Sequence, residues 1–280
     1  MTILLLDGHN LLYRSFRSIP ASVVDSEGRP INALYGMLSL ILRLGRELRP
    51  AGIVVALDVP EAPTFRHLLY PAYQGQRGPL GGDEAPSFER QVAAARHVLP
   101  TVGVPVLSVP GYEADDVMAT LAVRAAEYNV PSIIMSTDRD LLQMVRPNIE
   151  ILVPATPPRP VRNAEEVRER VGVNPDGIPT WKALAGDPSD NIPGVAGVGT
   201  KTAAALVNQF GTLEAIYERL DDHPLRVRRA LETGRENAFL YRRIVTLVVD
   251  LALPLGPTNL PELVIDPATR ARSILQAAGY

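Results

Sequence analysis

Cysteine is absent from the 280-residue chain, which excludes disulfides, thiolate zinc sites and cysteine nucleophiles. Lysine is nearly absent: Lys182 and Lys201 are the two present, and every other one of the 28 basic residues is arginine. An excess of positive charge is missing too, the formal net charge being −3. Nucleic-acid binders are usually basic, but carboxylates awaiting cations offset a basic surface, so net charge alone decides nothing here. No uncharged apolar run approaches the roughly 18 residues of a membrane-spanning helix. No basic segment followed by an apolar one opens the chain as a secretory signal would. The expectation is a soluble, cytoplasmic protein. A glycine-rich phosphate loop and a Ser-His-Asp order are also lacking. His9, His67, His97 and His223 have no ligand spacing and read as ordinary surface or loop histidines.

What is present suffices for a packed core: 46% of residues are hydrophobic, in a chain long enough for one large domain or two small ones. Short, β-branched apolar runs at 3–6, 52–57, 105–109, 132–136 and 149–153 read as buried strands. Helical stretches at about 32–48, 87–99 and 113–128 alternate with them, which predicts an open, mainly parallel α/β sheet. Gly75 to Pro86, rich in Gly and Pro, reads as a mobile loop. Pro154 to Pro160 reads as a connector, because proline fixes φ and lacks a donor. Beyond it the chain reads as helical, with Leu263-Val264-Ile265 as a possible late strand.

Asp7, Asp58 and Asp138 each stand just past a predicted strand. In an open parallel sheet the carboxyl ends of the strands line the ligand crevice. One such aspartate is commonly only a cap or turn former, but three at one edge are harder to dismiss. Glu113, Asp115 and Asp116 add three acids at a helix start, more than capping requires. Asp140, Asp187 and Asp190 complete the set. Such acids repel one another unless cations neutralise them, and oxygen-only ligands select Mg2+ or Mn2+ over zinc. Carboxylates in this number suit two ions that activate water and stabilise a leaving oxygen.

Gly194-Val195-Ala196-Gly197-Val198-Gly199-Thr200-Lys201-Thr202 follows directly. Its glycines allow a tight hairpin and close approach of a phosphate. The helix expected from Thr200 would point free N–H groups at that phosphate. This is a helix-hairpin-helix pattern, which grips backbone without reading bases.

Taken in order, Leu6-Asp7-Gly8-His9-Asn10 with Tyr13-Arg14, Phe65-Arg66, Gly111 to Asp116, Thr137 to Asp140, Gly186 to Asn191 and the hairpin resemble the flap endonuclease and 5′–3′ exonuclease family, bacterial and phage branch. The likeness covers about Met1 to Asp250. It implies a PIN-like nuclease core at 1–160, with a helical arch at about 70–100. A helical helix-hairpin-helix (H3TH) DNA-binding region with C-terminal helices is implied at 161–280. Asp7, Asp58, Glu113, Asp115 and Asp116 match the family's first metal site, and Asp138, Asp140, Asp187 and Asp190 the second. K+ is implied at the hairpin carbonyls of Val195 to Val198. Arg14, Gly194, Gly197, Val198, Gly199, Thr200, Lys201 and Thr202 match DNA-binding positions. Arg66, Tyr73 and Arg77 match residues that hold the scissile phosphate and a displaced base. The family's usual lysine after that tyrosine is replaced by Gln74, which offers hydrogen bonds but no charge. The implied activity is two-metal cleavage of DNA at 5′ flaps, nicks and junctions, by a monomer, with a polymerase domain or protein as partner. A junction binder that no longer cuts and a PIN-type ribonuclease are the competing readings; the complete acid set weighs against the first, the hairpin against the second.

Overall fold

The computed structural model describes residues 2–76, 78, 80–82, 84–154, 159–254 and 256. In chain order the elements are β1 (Ile3–Asp7), α1 (Gly8–Ser18), α2 (Asn32–Leu48), β2 (Gly52–Ala56), α3 (Phe65–Leu69), α4 (Glu84–Thr101), β3 (Val106–Leu107), α5 (Ala114–Glu127), β4 (Ser132–Met135), β5 (Ile149–Val153) and β6 (Arg159–Val161), followed by the helices α6 (Ala164–Val171), α7 (Ile178–Ala185), α8 (Thr200–Phe210), α9 (Leu213–Glu218) and α10 (Leu225–Val245). The strands form one sheet in the order β3-β2-β1-β4-β5-β6. All pairs are parallel except the last, where Leu152 lies opposite Pro160 in antiparallel register.

β1 is buried along its whole length, as a central strand covered on both faces must be. Its side chains alternate between two layers. Leu4 and Leu6 pack with α1, α2 and α4, whereas Ile3 and Leu5 pack with α5 and, beyond it, the C-terminal helices. A smaller cluster of Tyr73, Ala183, Ile192, Tyr241 and Ile244 joins the residues after α3 to α7 and α10. The C-terminal helices thereby stand over one end of the sheet.

The expected strands and the expected parallel α/β sheet are present, with three differences. Helix α1 was not expected: GHNLLYRSFRS is mostly polar, but Asp7 caps it through the Asn10 N–H and Leu11 and Leu12 bury its inner face. The loop expected through Pro86 ends earlier, since α4 begins at Glu84 and proline is tolerated in a first turn. The connector expected through Pro160 ends in β6, an edge strand, where a missing donor costs no ladder bond. Residues 263–265 lie outside the described residues. Among those described, no helix is long and apolar enough to cross a membrane.

Candidate active site

Three strands deliver acids to one end of the sheet. Asp7 closes β1, Asp58 follows β2 by two residues, and Asp138 follows β4 by three. All three line a cleft of about 640 Å³ together with Glu113, Asp115 and Asp190. Local hydrogen bonds fix each side chain. Asp7 accepts from the Ser136 hydroxyl at 2.6 Å and the Asn10 N–H at 3.1 Å. Asp58 accepts from the Ala114 N–H at 2.8 Å, at the start of α5. Asp138 accepts from the Asp140 N–H at 2.8 Å.

These carboxylates share one field. Burial, then Asp58 and Asp138, push Asp7 up to about 7 against the hydrogen bonds that lower it. Burial lifts Glu113 to about 7; Arg66 opposes the rise while Asp116, Asp58 and Asp190 add to it. Asp115 is raised well above the ordinary carboxylate value by burial and then by Asp138, Asp7, Glu113 and Asp58. Like charges held together in a desolvated cleft disfavour their own ionisation. An all-oxygen donor set in that state fits a hard divalent cation.

Asp116 does not join them, and its expected role as an ion ligand is revised. It is fully buried, and Arg66 grips both its oxygens at 2.6 and 2.8 Å. The same oxygens accept from the Val248 and Glu113 N–H groups. Adjacent positions on a helix point about 100° apart, so Asp115 faces the cleft while Asp116 closes a capping box inside. Arg66 pairs with it and also lines the cleft. Only 2% exposed, its guanidinium also donates to the Ile244 carbonyl at 2.8 Å and lies 3.4 Å from Glu113. Tyr73, likewise buried, donates its hydroxyl to Glu113 at 3.3 Å.

Asp140, Asp187 and Asp190 form a second group, offering oxygens within 4.8 Å of one another. Lys182, which the sequence reading had not singled out, contacts both Asp140 and Asp187. Its sequence signal was a lysine on the apolar face of a helix, five residues before an aspartate. Burial works to raise Asp187, but Lys182 and the Ser189 hydrogen bonds outweigh it and hold the carboxyl below its ordinary value. Gln74 lines the cleft and donates its amide to Asp190 at 3.0 Å. Its own N–H donates to the Asp190 carbonyl at 3.0 Å. The neighbouring turn adds Gln76 to the Pro188 and Ser189 carbonyls at 2.8 and 2.9 Å, and Asn191 to the Ala72 carbonyl at 2.7 Å. Arg77 lies outside the described residues.

The hairpin follows this turn without a break. At Gly194, with φ of +72°, a Cβ would fall 2.3 Å from the Gly186 nitrogen, so only glycine fits the crossing. Gly197 also has positive φ, and Gly199 precedes α8 in open space. Thr200 and Lys201 are exposed at the start of α8 and Thr202 is half-buried, but the Val198 side chain is buried in the core. Only backbone at Val198 is left for an outside partner. Arg14 is exposed and donates to the Pro154 carbonyl at 3.2 Å, in a groove on the far side of Tyr13 from the acids. His9 and His67 both line the acidic cleft, and His9 Nδ1 lies 3.7 Å from Asp58. His9 sits in the first turn of α1, which the sheet edge aims into the cleft.

Two family models match the chain in succession: the 5′–3′ exonuclease N-terminal resolvase-like domain over residues 2–172, and the 5′–3′ exonuclease C-terminal SAM fold over residues 173–268. The 5′–3′ exonuclease of Aquifex aeolicus is 36% identical over 259 residues, covering 92% of this chain and 86% of that protein. Thermostable DNA polymerase I of Thermus thermophilus is 38% identical over 255 residues, 90% of this chain. The chain spans only 29% of that polymerase's length. Among solved structures, T5 5′-exonuclease with divalent metal ions (zinc) bound superposes with a TM-score of 0.74 at 22% identity, covering 89% of this chain and 90% of that one. The catalytic core of Rad2 in complex with DNA substrate superposes with a TM-score of 0.61 at 14% identity, covering 99% of this chain and 87% of that one. Matched along nearly its whole described length, this chain belongs to the 5′–3′ exonuclease family.

Proposed function

We propose that the chain is a structure-specific 5′ nuclease, acting as 5′–3′ exonuclease and flap endonuclease on DNA with 5′ flaps, nicks or single-strand/double-strand junctions. The observation that carries this is the desolvated carboxylate cleft, with Asp190 on its wall and the hairpin of Gly194 to Thr202 four residues further along the chain. Asp7, Asp58, Glu113 and Asp115 would hold one divalent ion, Mg2+ or Mn2+, and Asp138, Asp140, Asp187 and Asp190 a second. When bound, such ions lower the pKa of water and offset charge on the attacked phosphodiester.

The chain's own residues do the rest. Ser136, Asn10 and the Ala114 N–H aim the acids of the first set into the cleft. Arg66 and Tyr73, on the wall of the cleft, hold Glu113, and Gln74 holds Asp190. The open N–H groups at the start of α8 and the Gly197 and Gly199 backbone would grip duplex phosphates without reading bases. Lys201 and Thr202 flank that grip, K+ would bridge at the Val195 to Val198 carbonyls, and Arg14 would meet strand outside the acids. In this reading residues 1–160 are the nuclease core, and residues 161–280 grip the DNA and lend Asp187 and Asp190 to the second ion. The protein acts as a cytoplasmic monomer, alone or joined to a polymerase.

A labelled 5′-flap DNA, the same flap in RNA and a nicked duplex, each with Mg2+ and with chelator, test the reading. The expected result is Mg2+-dependent release from the DNA flap. Cleavage that persists with chelator would overturn the two-metal mechanism, and cleavage of the RNA alone would overturn the DNA assignment.

A further inference from the structure

One of the two lysines in this chain is buried against the second carboxylate group. Lys182 lies on the inward face of α7 beside Ala183 and Leu184 and is 6% exposed. Lysine is almost never buried unless paired, and a buried ammonium is tolerated only when opposite charge compensates its lost hydration. Asp140 and Asp187 supply that charge, and both are themselves buried. The oxygens of Asp140, Asp187 and Asp190 lie within 4.8 Å of one another. An ammonium and a divalent ion would therefore claim the same small volume, where like charges repel strongly.

In the first group the cation stands to one side: Arg66 lies 3.4 Å from Glu113 but gives its shortest hydrogen bonds to Asp116. Asp115, at its centre, is left to the field of other acids.

Resting on the two-ion reading above, we propose that Lys182 is the built-in counter-charge of the second group and that the second divalent ion binds in exchange with it. The ammonium holds Asp140 and Asp187 together while the ion is away and withdraws from them as it enters. Lysine suits this exchange because it is a point charge on a flexible four-carbon stem, whereas arginine's planar fork would grip both carboxylates at once. The first ion then enters a site whose cation, Arg66, is anchored to Asp116, and the second must displace an ammonium set between its own ligands. Metal loading is stepwise by construction.

Mn2+ binding to the full chain without DNA, followed by the loss of the free-ion electron paramagnetic resonance signal, tests this. Wild type is expected to show a tight and a weak class of site. Lys182→Met should tighten the weak class by about ten-fold or more, the equivalent of removing one opposing charge, and leave the tight class within about two-fold. Asp115→Asn identifies the classes by weakening the tight one. The ion-free melting temperature of Lys182→Met should fall and be regained with Mn2+. Lys182→Arg keeps the charge and decides the matter if the Met variant does not fold: it should weaken the second class by about three-fold or more. A Lys182→Met variant with an unchanged or weaker second class, or a Lys182→Arg variant with an unchanged or tighter one, overturns the proposal. A wild-type chain that binds no Mn2+ overturns the two-ion reading itself, which keeps the two failures distinguishable.

Discussion

Two groups of aspartates and glutamates stand side by side in one cleft and differ in nearly everything except residue type. In the first, Asp7, Glu113 and Asp115 are driven up by burial and by one another. In the second, Asp187 is drawn down by Lys182 and Ser189, and Asp190 carries the Gln74 amide. The first group stores repulsion that protons or an added cation relieve, with Arg66 offsetting part of it at Glu113, whereas the second has a lysine between its carboxylates. Identical ligand chemistry thus yields an ion-hungry site and a self-satisfied one, and what packs behind the carboxylates decides which.

Three experiments would break or sharpen that contrast. The largest effect should come from Arg66→Met, which removes the buried cation behind Glu113 and leaves Asp116 charged and unpaired in the core. Breaking such a pair costs about 3–5 kcal/mol. Urea unfolding should show it as a lowered midpoint, and a loss below about 1 kcal/mol would mean the pair is not the buried anchor described.

The next effect is pH dependence. Asp7 and Glu113 bind protons up to about 7 in the folded chain, against ordinary values of 3.8 and 4.5. Between those limits the folded state holds more protons than the unfolded, so their contribution to stability falls as pH rises through that window. The ion-free chain should therefore melt about 4 °C or more higher at pH 5.5 than at pH 8. Saturating Mg2+ or Mn2+ should abolish or reverse that order. An ion-free melting temperature that rises steadily to pH 8 would contradict the raised carboxylates of the first group.

The smallest effect concerns Gln74. Gln74→Lys places an ammonium where the amide now meets Asp190, on the wall of the cleft. Single-turnover cleavage of a 5′ flap should quicken about five-fold, roughly 1 kcal/mol of transition-state stabilisation. No rise would remove the idea of a phosphate clamp weakened by the missing charge.

Most of the sheet was legible because buried parallel strands write themselves as short β-branched runs, and the acids were legible because they end those runs. Helix α1 was hidden by its polar composition, since its stability comes from the Asp7 cap and from Leu11 and Leu12 against the sheet. β6 was hidden by Pro160, which only an edge position tolerates. In the Asp115-Asp116 pair the sequence offers two equal acids, and only the docking of α5 turns one to the cleft and the other to Arg66, 50 residues away. Arg66 illustrates the general limit. A family motif marks a residue as indispensable without saying whether it touches substrate or holds up something that does. Lys182 is conspicuous in the sequence as one of two lysines, but its role was hidden because its partner Asp140 is distant in sequence.

The stapled turns carry a mechanical consequence. Gln74, Gln76 and Asn191 tie residues 72–76 to residues 188–191 by hydrogen bonds in both directions. One side continues toward α4, the other into the glycine hairpin and α8. The two turns make a single fulcrum with Asp190 on it. If α8 grips a duplex as proposed, a pull on residues 72–76 would reach it through the turn that carries Asp190, and the second carboxylate group would feel it.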